Sequence, residues 1–122
     1  MNQVVTATPV QLARTAAQAA DAKLGRDTVV IDVGDVLAIT DLFVITSGNN
    51  DRQVRAIVED IERQVGEMWG LKPRRIEGLD TLTWVLLDYG SFVVHVFDEE
   101  TRQFYELERL WRDMPVVEWR PS

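Results

Sequence analysis

Leu42-Phe43-Val44-Ile45-Thr46-Ser47-Gly48-Asn49-Asn50, running straight into Asp51-Arg52-Gln53-Val54, is the stretch that decides the fold. Leu42 to Thr46 is a short apolar run without alternation, the pattern of a strand buried on both faces. Ser47 to Asn50 interrupts it with small, turn-forming residues. Beyond the break the period changes. Val54, Ile57, Val58, Ile61, Val65 and Met68 recur at three- and four-residue spacing, with Arg55, Glu59, Glu62 and Arg63 on the other face. This predicts a helix that starts at an Asn50 cap, lays its apolar stripe on a core and ends at Gly70.

Upstream, Thr8-Pro9-Val10-Gln11 announces a first helix. Thr8 can cap, Pro9 suits the first helical position and Gln11 completes a capping box. Its alanine-rich body runs to Leu24, where Gly25 offers the left-handed stop. Thr28 to Val33 is β-branched and short, hence a strand, and Gly34-Asp35 turns the chain. Downstream of Pro73 the pattern returns to strand. Trp84 to Tyr89, Gly90-Ser91 and Phe92 to Phe97 read as a hairpin. Asp98 opens a polar helical turn, Tyr105 to Trp111 closes the domain, and Pro115 to Ser122 reads as a loose tail. The expectation is one domain over residues 1–113, a tail over 114–122, and an α/β or α+β sheet with helices mainly on one face.

A length of 122 residues suits a single domain. No cysteine is present, which removes disulfides, thiolate metal sites and a cysteine nucleophile. Met1 to Val10 lacks the charged and apolar regions of a signal peptide, and no apolar run reaches the length of a spanning helix. The cytoplasm is therefore the expected location, without a membrane partner. The net charge of −7 comes from 13 basic and 20 acidic residues. Nucleic-acid affinity rests largely on Lys and Arg neutralising phosphates. An acidic chain without a basic block is not expected to bind nucleic acid directly, and on an RNA-rich machine it should grip a basic protein.

Catalytic chemistry finds little support. His95 is the only histidine, and Gly90-Ser91-Phe92 lacks the flanking glycines of a nucleophile elbow. Strand alternation puts Val93, His95 and Phe97 on one face, where His95 reads as a structural or interface residue. Asp98, Glu99 and Glu100 are adjacent, so they splay rather than converge on a metal, and no cofactor is expected. The Ser47-Gly48 turn joins a strand to a helix N-terminus, where amides can hold an anion. A turn in this place resembles that of nucleotidyltransferases, but that chemistry needs two carboxylates on a neighbouring strand. Trp84 to Tyr89 offers Asp88 alone.

A surface remains. Residues 84–113 carry Asp88, Asp98, Glu99, Glu100, Glu106, Glu108 and Asp113 against Arg102, Arg109 and Arg112, so −4 of the −7 lies here. The same stretch is rich in rings. Phe92, Phe97 and Phe104 read as core, whereas Trp84, Tyr105 and Trp111 read as interface anchors among carboxylates that suit a basic partner.

Ile39-Thr40-Asp41-Leu42-Phe43-Val44-Ile45-Thr46-Ser47-Gly48 resembles a segment of the ribosomal silencing factors, the Iojap-like family. So do Glu77-Gly78, Trp84 to Gly90, Val94 to Phe97 and Phe104 to Trp111, in the same order and spacing, over roughly residues 10 to 113. The resemblance implies an α/β fold with a single mixed sheet, like that of nucleotidyltransferases but without their catalytic carboxylates or activity. It also implies a translational repressor that binds the large ribosomal subunit through ribosomal protein fourteen and blocks joining of the small subunit when nutrients are short. A role in large-subunit assembly and self-association as a homodimer are further family traits. The partner-binding residues expected on this basis are Trp84, Asp88, Tyr89, His95, Tyr105, Glu106, Leu107, Leu110 and Trp111. Ser91 stands where many relatives carry an acidic residue, and the tail from Met114 matches no family motif.

Overall fold

The computed structural model describes residues 7–121, except the side chains of Glu108 and Leu110. Helix α1 (Pro9–Ala22) begins with the expected capping box. The Gln11 amide donates to Thr8 Oγ1 at 3.2 Å, and the Thr8 amide donates to Gln11 Oε1 at 2.9 Å. Leu12, Ala13, Ala16, Ala17 and Ala20 are buried, and their small side chains let the helix lie close to its neighbours. The helix end differs from the expectation. The left-handed residue is the exposed Leu24, with φ 63°, not Gly25. Gly25 is required by crowding instead, because a Cβ there would stand 2.5 Å from Thr46 Oγ1 and 2.9 Å from the Ala20 carbonyl oxygen.

Helix α2 (Asp51–Trp69) is capped by Asn50, whose side chain accepts from the Gln53 amide at 2.9 Å, and Gly70 closes it at φ 69°. Val54, Ile57, Val58, Ile61 and Val65 are fully buried. Met68 departs from the predicted stripe and is exposed. At that end Trp69 packs on the core instead, and its indole donates to Thr15 Oγ1 on α1 at 2.9 Å.

The strands are β1 (Arg26–Asp32), β2 (Leu42–Gly48), β3 (Arg75–Glu77), β4 (Trp84–Asp88), β5 (Phe92–Asp98) and β6 (Val116–Val117), in the sheet order β3-β4-β5-β2-β1-β6. Only β2 and β5 run parallel, and every other neighbour is antiparallel. The single mixed sheet is thus as expected. The long helices α1 and α2 pack on one face over Val30, Val44, Val85, Leu87, Phe92, Val94 and Val96. The other face carries Ile31, Phe43, Ile45 and Phe97, on which Trp84, Leu107, Trp111 and Met114 pack. Helix α3 (Glu99–Tyr105) leaves the end of β5, and a single turn, α4 (Leu107–Leu110), follows.

Residues 115–121 are not a loose tail. Val116 and Val117 pair with Ile31 and Val30 of β1, and the Asp32 amide donates to the Pro115 carbonyl at 2.9 Å. Trp119 is buried, donates its indole N–H to the Thr28 carbonyl at 2.9 Å, and accepts at its own carbonyl from Gln18. A two-residue strand shows no periodicity in the sequence, yet it gives β1 the partner that an edge strand lacks.

Candidate partner-binding surface

Alternation along β4 and β5 sends Val85, Leu87, Val94 and Val96 towards the helices. Trp84 and Phe97, paired in the register, therefore point the other way, with His95 beside them. The rings form a connected cluster on this face. Trp84 lies 4.8 Å from Phe97 and 5.1 Å from Tyr105. Phe43 meets His95 edge-on at 4.7 Å and Trp111 edge-on at 5.8 Å.

Trp84 and His95 are coupled by a hydrogen bond across the strands, from the indole Nε1 to His95 Nδ1 at 3.1 Å. An indole nitrogen only donates, so Nδ1 must be the unprotonated nitrogen and the proton sits on Nε2. His95 is 4% exposed, and burial pulls its pKa down to about 4. The ring is neutral at pH 7, with its accepting nitrogen occupied. It is poorly placed to take a proton from Ser91 in the hairpin turn. It holds the Trp84 ring at a fixed angle on a half-buried surface.

The expected site residues divide into groups. Trp84, His95, Tyr105, Leu107 and Trp111 come together on this face, with Tyr105 half exposed and Trp84, Leu107 and Trp111 half-buried. Glu106 is exposed, sits in the left-handed region between α3 and α4, and meets Arg109 at 2.6 Å. Leu110 belongs to α4, but its side chain lies outside the described residues. Asp88 is at the far end of β4, where it accepts from the Gly90 amide at 2.8 Å and shapes the hairpin turn. Tyr89 is not brought to the others. It stacks flat on Phe92 at 4.5 Å within the helix-side core, and burial raises its phenol pKa.

Phe104 corrects the sequence reading: expected in the core, it is 78% exposed and lies edge-on to Tyr105 at 5.0 Å. The reason is its helical phase relative to Arg102. That guanidinium takes the inward position of α3 and donates to the carbonyls of Arg26 and Asp27 and to Ser47 Oγ. A residue two positions later on a helix faces roughly the opposite way. A buried arginine beside an exposed phenylalanine reverses the usual preference, so composition alone could not have found it.

The other candidate lies at the carboxyl ends of the parallel pair. Ser47 and Gly48, expected in the turn, still belong to β2 and pair with Phe97 and Asp98, and only Asn49-Asn50 leads into α2. An open cavity of about 780 Å³ there is lined by Asn49, Asn50, Asp51, Arg52, Asp98, Glu99 and Glu100. Asn50 and Asp98 spend a side-chain oxygen capping α2 and α3, and Glu99 pairs with Arg26 at 3.0 Å. Four carboxylates against one lining guanidinium make a poor cradle for phosphates. Among the described residues no three His, Cys, Asp or Glu converge as metal ligands. None of the described helices is long and apolar enough to cross a membrane.

Comparison with known proteins bears on the family and the fold. A family model described as "Ribosomal silencing factor during starvation" matches residues 6–121. The chain is 40% identical over 105 residues to a ribosomal silencing factor of Bacillus subtilis, covering 86% of this chain and 88% of that protein. It is 41% identical over 91 residues to the mouse protein "Mitochondrial assembly of ribosomal large subunit protein 1", covering 70% of this chain and 39% of the mouse protein. A crystal structure from Chromobacterium violaceum superposes with a TM-score of 0.83 at 26% identity, covering 95% of this chain and 92% of that one. One from Bacillus halodurans gives 0.74 at 36% identity, covering 88% and 96%. With a family match running from residue 6 to residue 121, the chain belongs to the ribosomal silencing factor family.

Proposed function

We propose that this protein acts without catalysis, by binding the large ribosomal subunit through ribosomal protein fourteen and standing where the small subunit must dock. The observation that carries the reading is the aromatic sheet face, in which Trp84 is held by His95 and flanked by Tyr105 and Trp111. Large rings on a pre-set frame lose little entropy on binding, and they dominate the energetics of interfaces. The −7 charge opposes contact with bare RNA and favours a basic protein on its surface. A compact chain of this length has a radius of gyration of roughly 14 Å, enough bulk to obstruct a subunit bridge.

The test is co-sedimentation with isolated subunits. The original protein should travel with large subunits and not with small ones. Trp84→Ala should weaken binding by about 30-fold or more while the domain stays folded. A variant that keeps full affinity would remove this face from the contact. The resemblance to the mouse assembly protein favours a second reading, a role in maturing the large subunit. Depletion would then accumulate large-subunit precursors, whereas a pure silencing role would leave subunit profiles normal and alter translation only under starvation.

A further inference from the structure

We infer that the cleft beside Trp84, between the end of β5 and the outer side of α3, receives one cationic side chain of the protein partner. The inference rests on the reading of this protein as a binder of a basic ribosomal protein, and adds a recognition site to it. The cleft has a volume of about 320 Å³ and is lined by Thr83, Asp98, Glu100, Thr101, Phe104 and Tyr105. Phe104 and Tyr105 stand at 86° to each other with centroids 5.0 Å apart, so they form two walls of a corner. Phe104 is 78% exposed, a large apolar surface left to water in the isolated chain. An aromatic face beside carboxylates attracts a guanidinium or ammonium through both the ring quadrupole and direct charge.

The charges fit that occupant and no anion. The lining contains two carboxylates and no Lys or Arg. Asp98 Oδ1 is engaged with the Thr101 amide at 2.7 Å, which fixes the carboxylate beside the cleft. Arg102, the nearest guanidinium in sequence, turns inward to the backbone of β1. The cleft adjoins the aromatic face through Tyr105, which touches both Phe104 and Trp84. A partner docked on Trp84 thus has the cleft within reach of a neighbouring long basic side chain.

The experiment measures affinity for purified large subunits at low and raised salt for the original protein, Glu100→Gln, Phe104→Leu and Trp84→Ala, with Glu59→Gln on the outer side of α2 as an equal change of charge elsewhere. Glu100→Gln should weaken binding about tenfold at low salt, and the gap should narrow as salt rises because an exposed charge is screened. Phe104→Leu should weaken binding by a similar factor, with a gap that persists at raised salt. Glu59→Gln should bind like the original. If Trp84→Ala loses binding while Glu100→Gln and Phe104→Leu stay within twofold of the original, the cleft is empty in the complex and the inference fails alone. If the original protein does not bind large subunits, the functional reading falls and the cleft falls with it.

Discussion

Acidification should expose the Trp84–His95 bond as a component of stability. The imidazole pKa falls from 6.5 to about 4 on folding because the ring is buried. Protonation would place a second N–H on Nδ1, against the indole N–H of Trp84 3.1 Å away. A folded pKa below the unfolded one means that the unfolded chain binds more protons between these two values. The contribution is therefore complete above pH 6.5 and is lost as the pH falls towards 4. Linkage gives about 3 kcal/mol in total and about 2 kcal/mol by pH 5. Carboxylates titrate in part of this window, and Glu62, raised by its own burial and by Glu59, acts in the opposite sense. The comparison must therefore be made with His95→Gln, whose amide oxygen can still accept from Trp84 but cannot become charged. Urea unfolding at pH 7.5 and pH 5 would be measured for both proteins. The original should lose about 2 kcal/mol more than the variant over that interval. Parallel losses would show that His95 titrates alike in both states, and would refute the account of a buried, neutral ring.

Three further outcomes follow from the packing. Trp119→Ala should cost about 3–5 kcal/mol, since it empties a buried site and leaves the Thr28 carbonyl without its donor. That corresponds to a fall of roughly 12–20 °C in melting temperature by calorimetry, and a fall of a few degrees would return residues 115–121 to the role of a tail. Gly78→Ala should cost about 2 kcal/mol or more in denaturant unfolding, because φ is 92° and a Cβ would meet the Trp84 carbonyl oxygen at 2.1 Å. Gly66→Ala, inside α2 with no neighbour nearer than 3.8 Å, should instead stabilise by about 0.5–1 kcal/mol.

What the sequence made legible is what short-range chemistry governs. The Thr8–Gln11 capping box, the Asn50 cap and the Gly70 stop each lie within one turn of helix, and each forms where it was read. The β4–β5 hairpin is local too, and its tight Gly90-Ser91 turn fixes the register. That register sets Trp84 opposite Phe97 and diagonal to His95, a separation that long side chains bridge. The features that escaped depend on residues far apart in the chain. β6 is recognisable only by its pairing with β1, 85 positions or more away. Gly25 is needed not for a left-handed φ, which Leu24 takes, but because a Cβ there would strike Thr46 Oγ1, 21 positions further on. The outward turn of Phe104 follows from Arg102 reaching the backbone of β1.

The two faces of the sheet differ in a way that follows from when each is covered. The helix-side face is closed as the chain folds, and it is lined mainly by Val, Ile, Leu and Ala. Aliphatic groups suit that task, since they bury no polar atom and pack to crystal-like density. The opposite face has only the short segment around α4 laid on it, and it gathers Phe43, Trp84, Phe97 and Trp111. Rings keep a polar edge or a π face available while the surface stands alone in water, which aliphatic side chains cannot do. His95 Nε2 and Trp111 Nε1 are buried donors without a protein partner among the described residues. A core selected for stability alone would have replaced them with carbon, because an unsatisfied buried donor costs about 1–3 kcal/mol. The helix-side core leaves the Tyr89 hydroxyl unpartnered too, so the two faces differ in their share of rings and not in polar satisfaction, and the ring-rich face is the one that suits the proposed partner.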